Sequence, residues 1–266
     1  MKKYLVLFLL SVMIIACSKV PITGRRQVNL LPEMEMISMS LTAYSEFLGA
    51  ATVVPASNDD AAMVKRLGAN IKTAVETFLE QEGQSKRVEN FAWEFNLVDD
   101  PTVNAWCMPG GKVVIYTGIL DVAQSEEGLA AVMGHEIAHA IARHGNERMS
   151  QQLLMQAGGF TLGALTQEQP AVAQQLFALS YGLGTQLGSL AFSRSHESES
   201  DKMGLIFMAM AGYDPHEAPK FWERMSAGGG AQPPEFLSTH PNHDTRINDL
   251  NEFMPEAMKY YKPAGN

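Results

Sequence analysis

The 266-residue chain is poor in several things that would settle its class at once. It has two cysteines, Cys17 and Cys107. Cys17 sits at a candidate processing site, which leaves a single thiol and excludes an intramolecular disulfide framework. There is no basic run and the net charge is −9, so the electrostatic footprint of a nucleic-acid binder is missing. No apolar stretch reaches the roughly 20 residues that a membrane-spanning helix needs. No internal repeat occurs. With 46% hydrophobic and 18% charged residues, what is present suits one globular domain with an ordinary core.

The first residues form a targeting segment. Met1-Lys2-Lys3 is positively charged, Tyr4 to Ile15 is apolar but too short to cross a bilayer, and Ile14-Ile15-Ala16-Cys17 resembles a bacterial lipobox. That resemblance implies removal of residues 1–16 and lipidation of Cys17, which makes Cys17 a membrane anchor. An ordinary signal peptide followed by an incidental cysteine is the other reading. Ser18 and Lys19 follow without an acidic run, which by analogy with lipoprotein sorting implies the periplasmic face of the outer membrane. Residues 17–32, with Pro21, Gly24 and Pro32, read as a tether, and residues 33–266 as the folded domain.

Within that domain the hydrophobic period is first helical. Met34, Ile37, Leu41, Tyr44 and Leu48 recur at three- and four-residue steps over 33–50, and Asn58 caps a second stripe of Met63, Leu67, Ile71, Val75 and Phe78. The pattern then alternates over Phe91 to Leu97, and two further short strands, Val103 to Met108 and Lys112 to Tyr116, flank Pro109-Gly110-Gly111. The segment beginning Val103-Asn104-Ala105 fits an edge strand that holds an extended peptide by its backbone, and equally an interior hairpin. Ser125-Glu126-Glu127 opens a helix that His144-Gly145 ends. Residues 150–192 are rich in Gly, Ala, Leu and Gln and read as two closely packed helices, or alternatively a lid. Helices over 193–211 and 215–225, a Gly/Pro loop at 228–234 and a last short helix through Arg246 complete the chain.

The chemistry concentrates in Gly134-His135-Glu136-Ile137-Ala138-His139. Residues four apart share a helix face, so His135 and His139 can both reach one metal ion while Glu136 reaches a water beside it. A catalytic zinc site needs a third protein ligand. A third histidine in the metzincin spacing is ruled out, because Gly145 and Ala142 occupy the required positions. A glutamate on a later helix is the other solution, and Arg194-Ser195-His196-Glu197-Ser198-Glu199-Ser200-Asp201 is the place to find it. Glu197 can bind the metal while Asp201, four residues on, accepts the outer N–H of a ligand histidine. Glu199 falls roughly 200° away and is expected to point outward.

His-Glu-x-x-His followed by Arg-x-x-Glu-x-x-x-Asp resembles the HtpX and CaaX-prenyl-endopeptidase group of zinc metallopeptidases, and the lipobox makes the chain similar to its periplasmic lipoprotein branch. Thr23-Gly24-Arg25-Arg26-Gln27, Asn104-Ala105, Pro109-Gly110-Gly111, Arg143-His144-Gly145 and Thr239-His240-Pro241 with Arg246 extend the likeness; Ser200 and Cys107 depart from it. The resemblance implies an α+β, mostly helical zincin-like fold of the gluzincin type, with a small sheet beside the active helix. It implies one Zn2+ held by His135, His139 and Glu197, with Glu136 as general base. His240 and Arg246 are candidates to stabilise the oxyanion; His240 can instead close the zinc shell, and the pair can also be a structural His-Pro turn with Arg246 bound to Asp201 or Asp249. Asn104 and Ala105 are the candidate substrate-binding residues. The implied substrates are misfolded or misassembled envelope proteins. A largely latent, chaperone-like assembly factor is the competing function, and a purely structural zinc protein a third.

Overall fold

The computed structural model describes residues 17–156, 173–176, 193–227, 235–240 and 245–263. Strands β1 (Cys17–Lys19) and β2 (Arg26–Val28) pair antiparallel. Helices α1 (Glu33–Ala50) and α2 (Asp59–Gln81) follow, and Asn58 Oδ1 caps α2 by accepting from the backbone N–H groups of Asp60 and Ala61. The second sheet contains β3 (Glu94–Val98), β4 (Ala105–Met108) and β5 (Lys112–Tyr116) in the order β3-β5-β4, with β3 parallel and β4 antiparallel to β5. The alternation that starts at Phe91 enters the ladder only at Glu94, because Ala92 and Glu94 first donate to the Gly110-Gly111 turn, whose two glycines take positive φ.

The sheet is covered on both faces, which is why β5 reads as a nearly continuous apolar run. Ala105, Cys107, Val113 and Ile115 face the main core, while Trp106, Met108 and Val114 pack with Met36 and Tyr44 of α1. The short α3 (Thr117–Ala123) leads into α4 (Glu126–Ala142), where Ser125 Oγ accepts from Gly128 N at 3.0 Å. Every residue of α4 from Gly128 to Ala142 is buried. The helix closes one residue before the expected His144-Gly145, at Arg143 in the left-handed region (φ 61°), and α5 (His144–Gln156) begins directly afterwards. The chain continues through α6 (Arg194–Met210), capped by Ser193, then α7 (Glu217–Ala227), α8 (Glu235–Thr239) and α9 (Arg246–Ala257). Most of 150–192 and the 228–234 loop lie outside the described residues.

Residues 17–32, read above as a tether, fold back on the domain. Val20 and Leu31 are buried, and Gln27 Nε2 donates to the Ala142 carbonyl at the end of α4 at 2.7 Å. The fold is thus α+β and mostly helical, with its small sheet beside the His135–His139 helix as expected.

What positions the site is the crossing of α4 and α6. Gly134 and Gly204 meet there without side chains: a Cβ on Gly134 would lie 3.1 Å from the Gly204 carbonyl oxygen, and one on Gly204 would lie 3.0 Å from His135 N. Backbone cannot swing aside as a side chain can, so the two glycines set the interhelical distance. Gly204→Val should therefore force the helices apart and destabilise the protein by about 1–3 kcal/mol, the usual cost of overpacking. The midpoint of urea denaturation checks this, and an unchanged midpoint would contradict it.

Candidate active site

His135 and His139 share one face of α4, and across the glycine crossing α6 presents Glu197. His135 Nε2 and His139 Nε2 are 3.0 Å apart. Glu197 Oε2 lies 3.5 Å from His135 Nε2, and its Oε1 lies 3.4 Å from His139 Nε2. A fourth side chain joins them from the end of α8: His240 Nδ1 is 3.4 Å from His135 Nε2 and 3.2 Å from Glu197 Oε1. The four groups are buried, and their donor atoms lie within 4.8 Å of one another. Zinc bonds of roughly 2.0–2.1 Å in tetrahedral geometry place donor atoms about 3.3–3.4 Å apart along each edge. The spacings that His135 makes with its neighbours, 3.0 to 3.5 Å, lie near that length, and three imidazoles and a carboxylate gathered within 4.8 Å form a donor set whose chemistry fits zinc.

Each histidine is fixed from behind. Asp201 Oδ1 lies 2.9 Å from His135 Nδ1 and accepts from Arg246 Nη2 at 2.6 Å. Arg246 is fully buried, sits with Cζ 3.2 Å over the Trp222 ring, and sends Nη1 to Glu197 Oε2 at 3.3 Å. Of the carboxylate partners considered for Arg246 in the sequence, the structure brings Asp201 to it. His240 is held by Phe236, whose ring stacks on it at 4.4 Å.

Behind His139 the structure corrects the sequence reading twice. His144 does not merely mark a helix end: its Nδ1 is 3.0 Å from His139 Nδ1 and its Nε2 is 3.0 Å from Glu199 Oε2. Glu199 does not point outward. It is buried and also accepts from Thr23 Oγ1 and Arg25 Nε, each at 2.8 Å. Helical spacing alone put Glu199 on the far side from Glu197, and it is there; the N-terminal hairpin covers that side as well. The signal that pointed to it was Thr23-Gly24-Arg25, a polar motif with no role inside a tether.

The electrostatics favour positive charge at this point. Burial works against protonation of His135, but hydrogen bonds to Asp201 and Glu197 overcome it and lift its pKa to about 9. Burial dominates at His139 and pushes its pKa well down. Glu197 stays ionised: burial would raise its pKa, but the histidines, His240 foremost, hold it well below the usual carboxylate range. An ionised Glu197 beside the Nε2 atoms of His135 and His139, with Asp201 behind His135, makes an environment for a divalent cation.

Glu136 stands beside this cluster. It is buried, its Oε1 has no hydrogen-bond partner, and His240 Nε2 lies 3.6 Å from that atom. Burial raises its pKa, chiefly against the opposing charge of His240. Cys107 lies buried in β4 on the face toward α4. Among the described residues β4 pairs only with β5, and Tyr116 N donates to Asn104 O. By antiparallel alternation the backbone groups of Ala105 and Cys107 then point away from β5. Ala105 N is taken up by Asn104 Oδ1 at 2.9 Å. The segment is one arm of the β4–β5 hairpin, at the end of the described sheet, and its four residues are buried.

The model of peptidase family M48 matches residues 65–254, a span that includes His135, Glu136, His139, Glu197, Asp201, His240 and Arg246. The mitochondrial metalloendopeptidase OMA1 of Schizosaccharomyces pombe is 34% identical over 90% of this chain and 67% of its own length. The human mitochondrial metalloendopeptidase OMA1 is 28% identical over 90% of this chain and 46% of its own. The β-barrel assembly-enhancing protease of Escherichia coli is 32% identical over 63% of this chain and 36% of its own. The chain thus spans about two thirds of the fission yeast protein and less than half of the other two. These relatives come from mitochondria and from a bacterium, so they support the family more broadly than the lipoprotein branch suggested by the N-terminus. With a matched span that encloses both helices of the crossing and a donor set that fits the metal, the chain belongs to peptidase family M48, the zinc-dependent metallopeptidases that hydrolyse peptide bonds.

Proposed function

We propose that this chain is a zinc endopeptidase of a bacterial envelope, anchored through Cys17, that cleaves misfolded or misassembled proteins and rests in a closed state. The observation that carries the reading is the buried donor set of His135, His139, Glu197 and His240, gathered within 4.8 Å, beside a buried Glu136 Oε1 without a hydrogen-bond partner. Envelope placement is supported by the lipobox-like Ile14-Ile15-Ala16-Cys17 and by the likeness to a bacterial protease named for β-barrel assembly.

His135, His139 and Glu197 hold the metal. Zinc bound there supplies Lewis-acid polarisation of a carbonyl and acidifies water. Glu136 takes the proton from the attacking water and delivers it to the leaving amine; burial raises its pKa, which strengthens it as a base. Asp201 fixes His135, and Arg246 holds Asp201 and Glu197 in place. An extended substrate adds to the β4 edge, where the outward backbone groups of Ala105 and Cys107 receive it. Asn104 Oδ1 occupies the Ala105 N–H until a substrate carbonyl replaces it.

His240 Nδ1, 3.4 Å from His135 Nε2 and 3.2 Å from Glu197 Oε1, would bind the same metal and take the position that a catalytic site keeps open. That single placement supports a latent resting enzyme, and it is also the observation that favours the competing reading of a chaperone-like assembly factor whose peptidase site rarely opens.

Two variants separate these readings. In the full chain purified in detergent, Glu136→Gln should lower cleavage of unfolded casein by roughly 100- to 10,000-fold, the usual worth of a general base, while retaining its zinc. If wild type and variant are equally inert yet both suppress casein aggregation, the chaperone-like reading stands instead. His240→Ala should raise the casein-cleavage rate above wild type by opening the fourth corner. A fall of roughly 100- to 1,000-fold would instead assign His240 to the oxyanion and contradict the latch.

A further inference from the structure

The described structure contains one buried polar network that peptide hydrolysis does not use, and it runs from the N-terminal hairpin to a metal ligand. Arg25 follows the turn that joins β1 to β2. Its guanidinium meets two carboxylates with paired bonds: Nη1 and Nη2 to Glu147 Oε1 and Oε2 at 2.8 and 2.7 Å, and Nε and Nη2 to Glu199 Oε1 and Oε2 at 2.8 and 2.9 Å. Only a planar guanidinium presents donors in that fork; an ammonium cannot reach both edges at once. Thr23 Oγ1 adds a further donor to Glu199 Oε1.

The proton directions along the rest of the network follow from the ligand. A histidine that binds metal through Nε2 carries its proton on Nδ1. His139 Nδ1 therefore donates to His144 Nδ1, 3.0 Å away. With Nδ1 accepting, neutral His144 carries its own proton on Nε2 and donates it to Glu199 Oε2 at 3.0 Å. Ser200 Oγ lies 3.3 Å from the same nitrogen. Glu199 accepts from all sides, and the arginine fork holds it in register. His135 reaches its carboxylate, Asp201, directly; His139 reaches Glu199 through one intervening imidazole. The hairpin is tied to the same end of α4 by two more contacts. Gln27 Nε2 caps the Ala142 carbonyl, and Arg87 donates to the Ile141 carbonyl at 2.8 Å and to the Lys19 carbonyl.

We propose that Arg25, with Thr23 beside it, is a positioning residue for the metal ligand His139, acting through Glu199 and His144 to fix the tautomer and orientation of that ring. The hairpin Cys17–Val28 is then part of the metal site and not a spacer. The proposal rests on the reading of His139 as a zinc ligand.

Zinc affinity tests it without recourse to activity, by competition with a chromophoric chelator on the full chain in detergent, alongside thermal melts with and without zinc. Arg25→Gln and Arg25→Lys should each weaken zinc binding by roughly 10- to 100-fold, as loss of an outer hydrogen-bond partner of a ligand does. The zinc-induced rise in melting temperature should shrink in parallel. Arg26→Gln, on the exposed neighbouring residue of the same hairpin, should match wild type. If Arg25→Gln fails to fold, Arg25→Lys, which keeps the charge but not the fork, decides by the same readout. Arg25 variants that melt earlier but hold zinc as tightly as wild type would overturn the proposal and leave Arg25 a purely structural clamp. A wild-type chain that binds no zinc would instead overturn the peptidase reading itself, an outcome distinct from the first.

Discussion

The structure depends on the contact of two bare backbones. Gly134 on α4 and Gly204 on α6 let the helices approach until an added Cβ on either would press on the backbone of the other helix. From that crossing the rest follows by helical spacing. Glu197, Ser200 and Asp201 precede Gly204 on one face of α6, one and two turns away, and His135 and His139 straddle the same ridge of α4. A larger interhelical distance would leave Glu197 short of the imidazoles. The metal site is therefore a property of the crossing before it is a property of its ligands.

Around the crossing the protein buries an unusual amount of charge: Glu136, Glu147, Arg148, Glu197, Glu199, Asp201 and Arg246 are all nearly inaccessible. Such groups are tolerated only when paired. Arg246 meets Glu197 and Asp201, and Arg25 meets Glu147 and Glu199. Glu136 Oε1 makes no hydrogen bond, and the proposed mechanism asks this carboxylate to accept a proton. The arrangement that pairs Glu147, Glu197, Glu199 and Asp201 with arginines leaves this one carboxylate available.

Much of this was legible in the sequence because it rests on period and spacing. Asn58, Ser125 and Ser193 were readable as caps since their side chains precede helical stripes, and the His135–His139 and Glu197–Asp201 pairs were readable because four residues make one helical face. Burial on the second face of a helix was not legible. Glu199 sits opposite Glu197, as the geometry of α6 requires, and only the fold-back of the hairpin turns that outward face into an inward one. Arg25 is far from both carboxylates in sequence, so no local period connects them. The break at Arg143 escaped notice for a different reason: a non-glycine residue in the left-handed region gives no compositional sign. His240 stood out only through the Thr239-His240-Pro241 likeness, since its position depends on the stacking of Phe236 and on a chain path that periodicity does not encode.

The proposed latch requires His240 to share the metal with His135, His139 and Glu197 in the resting protein. X-ray absorption at the zinc edge of the purified wild-type full chain counts the imidazoles bound to the ion directly. Three imidazoles and one carboxylate oxygen at the roughly 2.0–2.1 Å of zinc–nitrogen and zinc–oxygen bonds is the expected shell. Two imidazoles with an additional oxygen from water would contradict it.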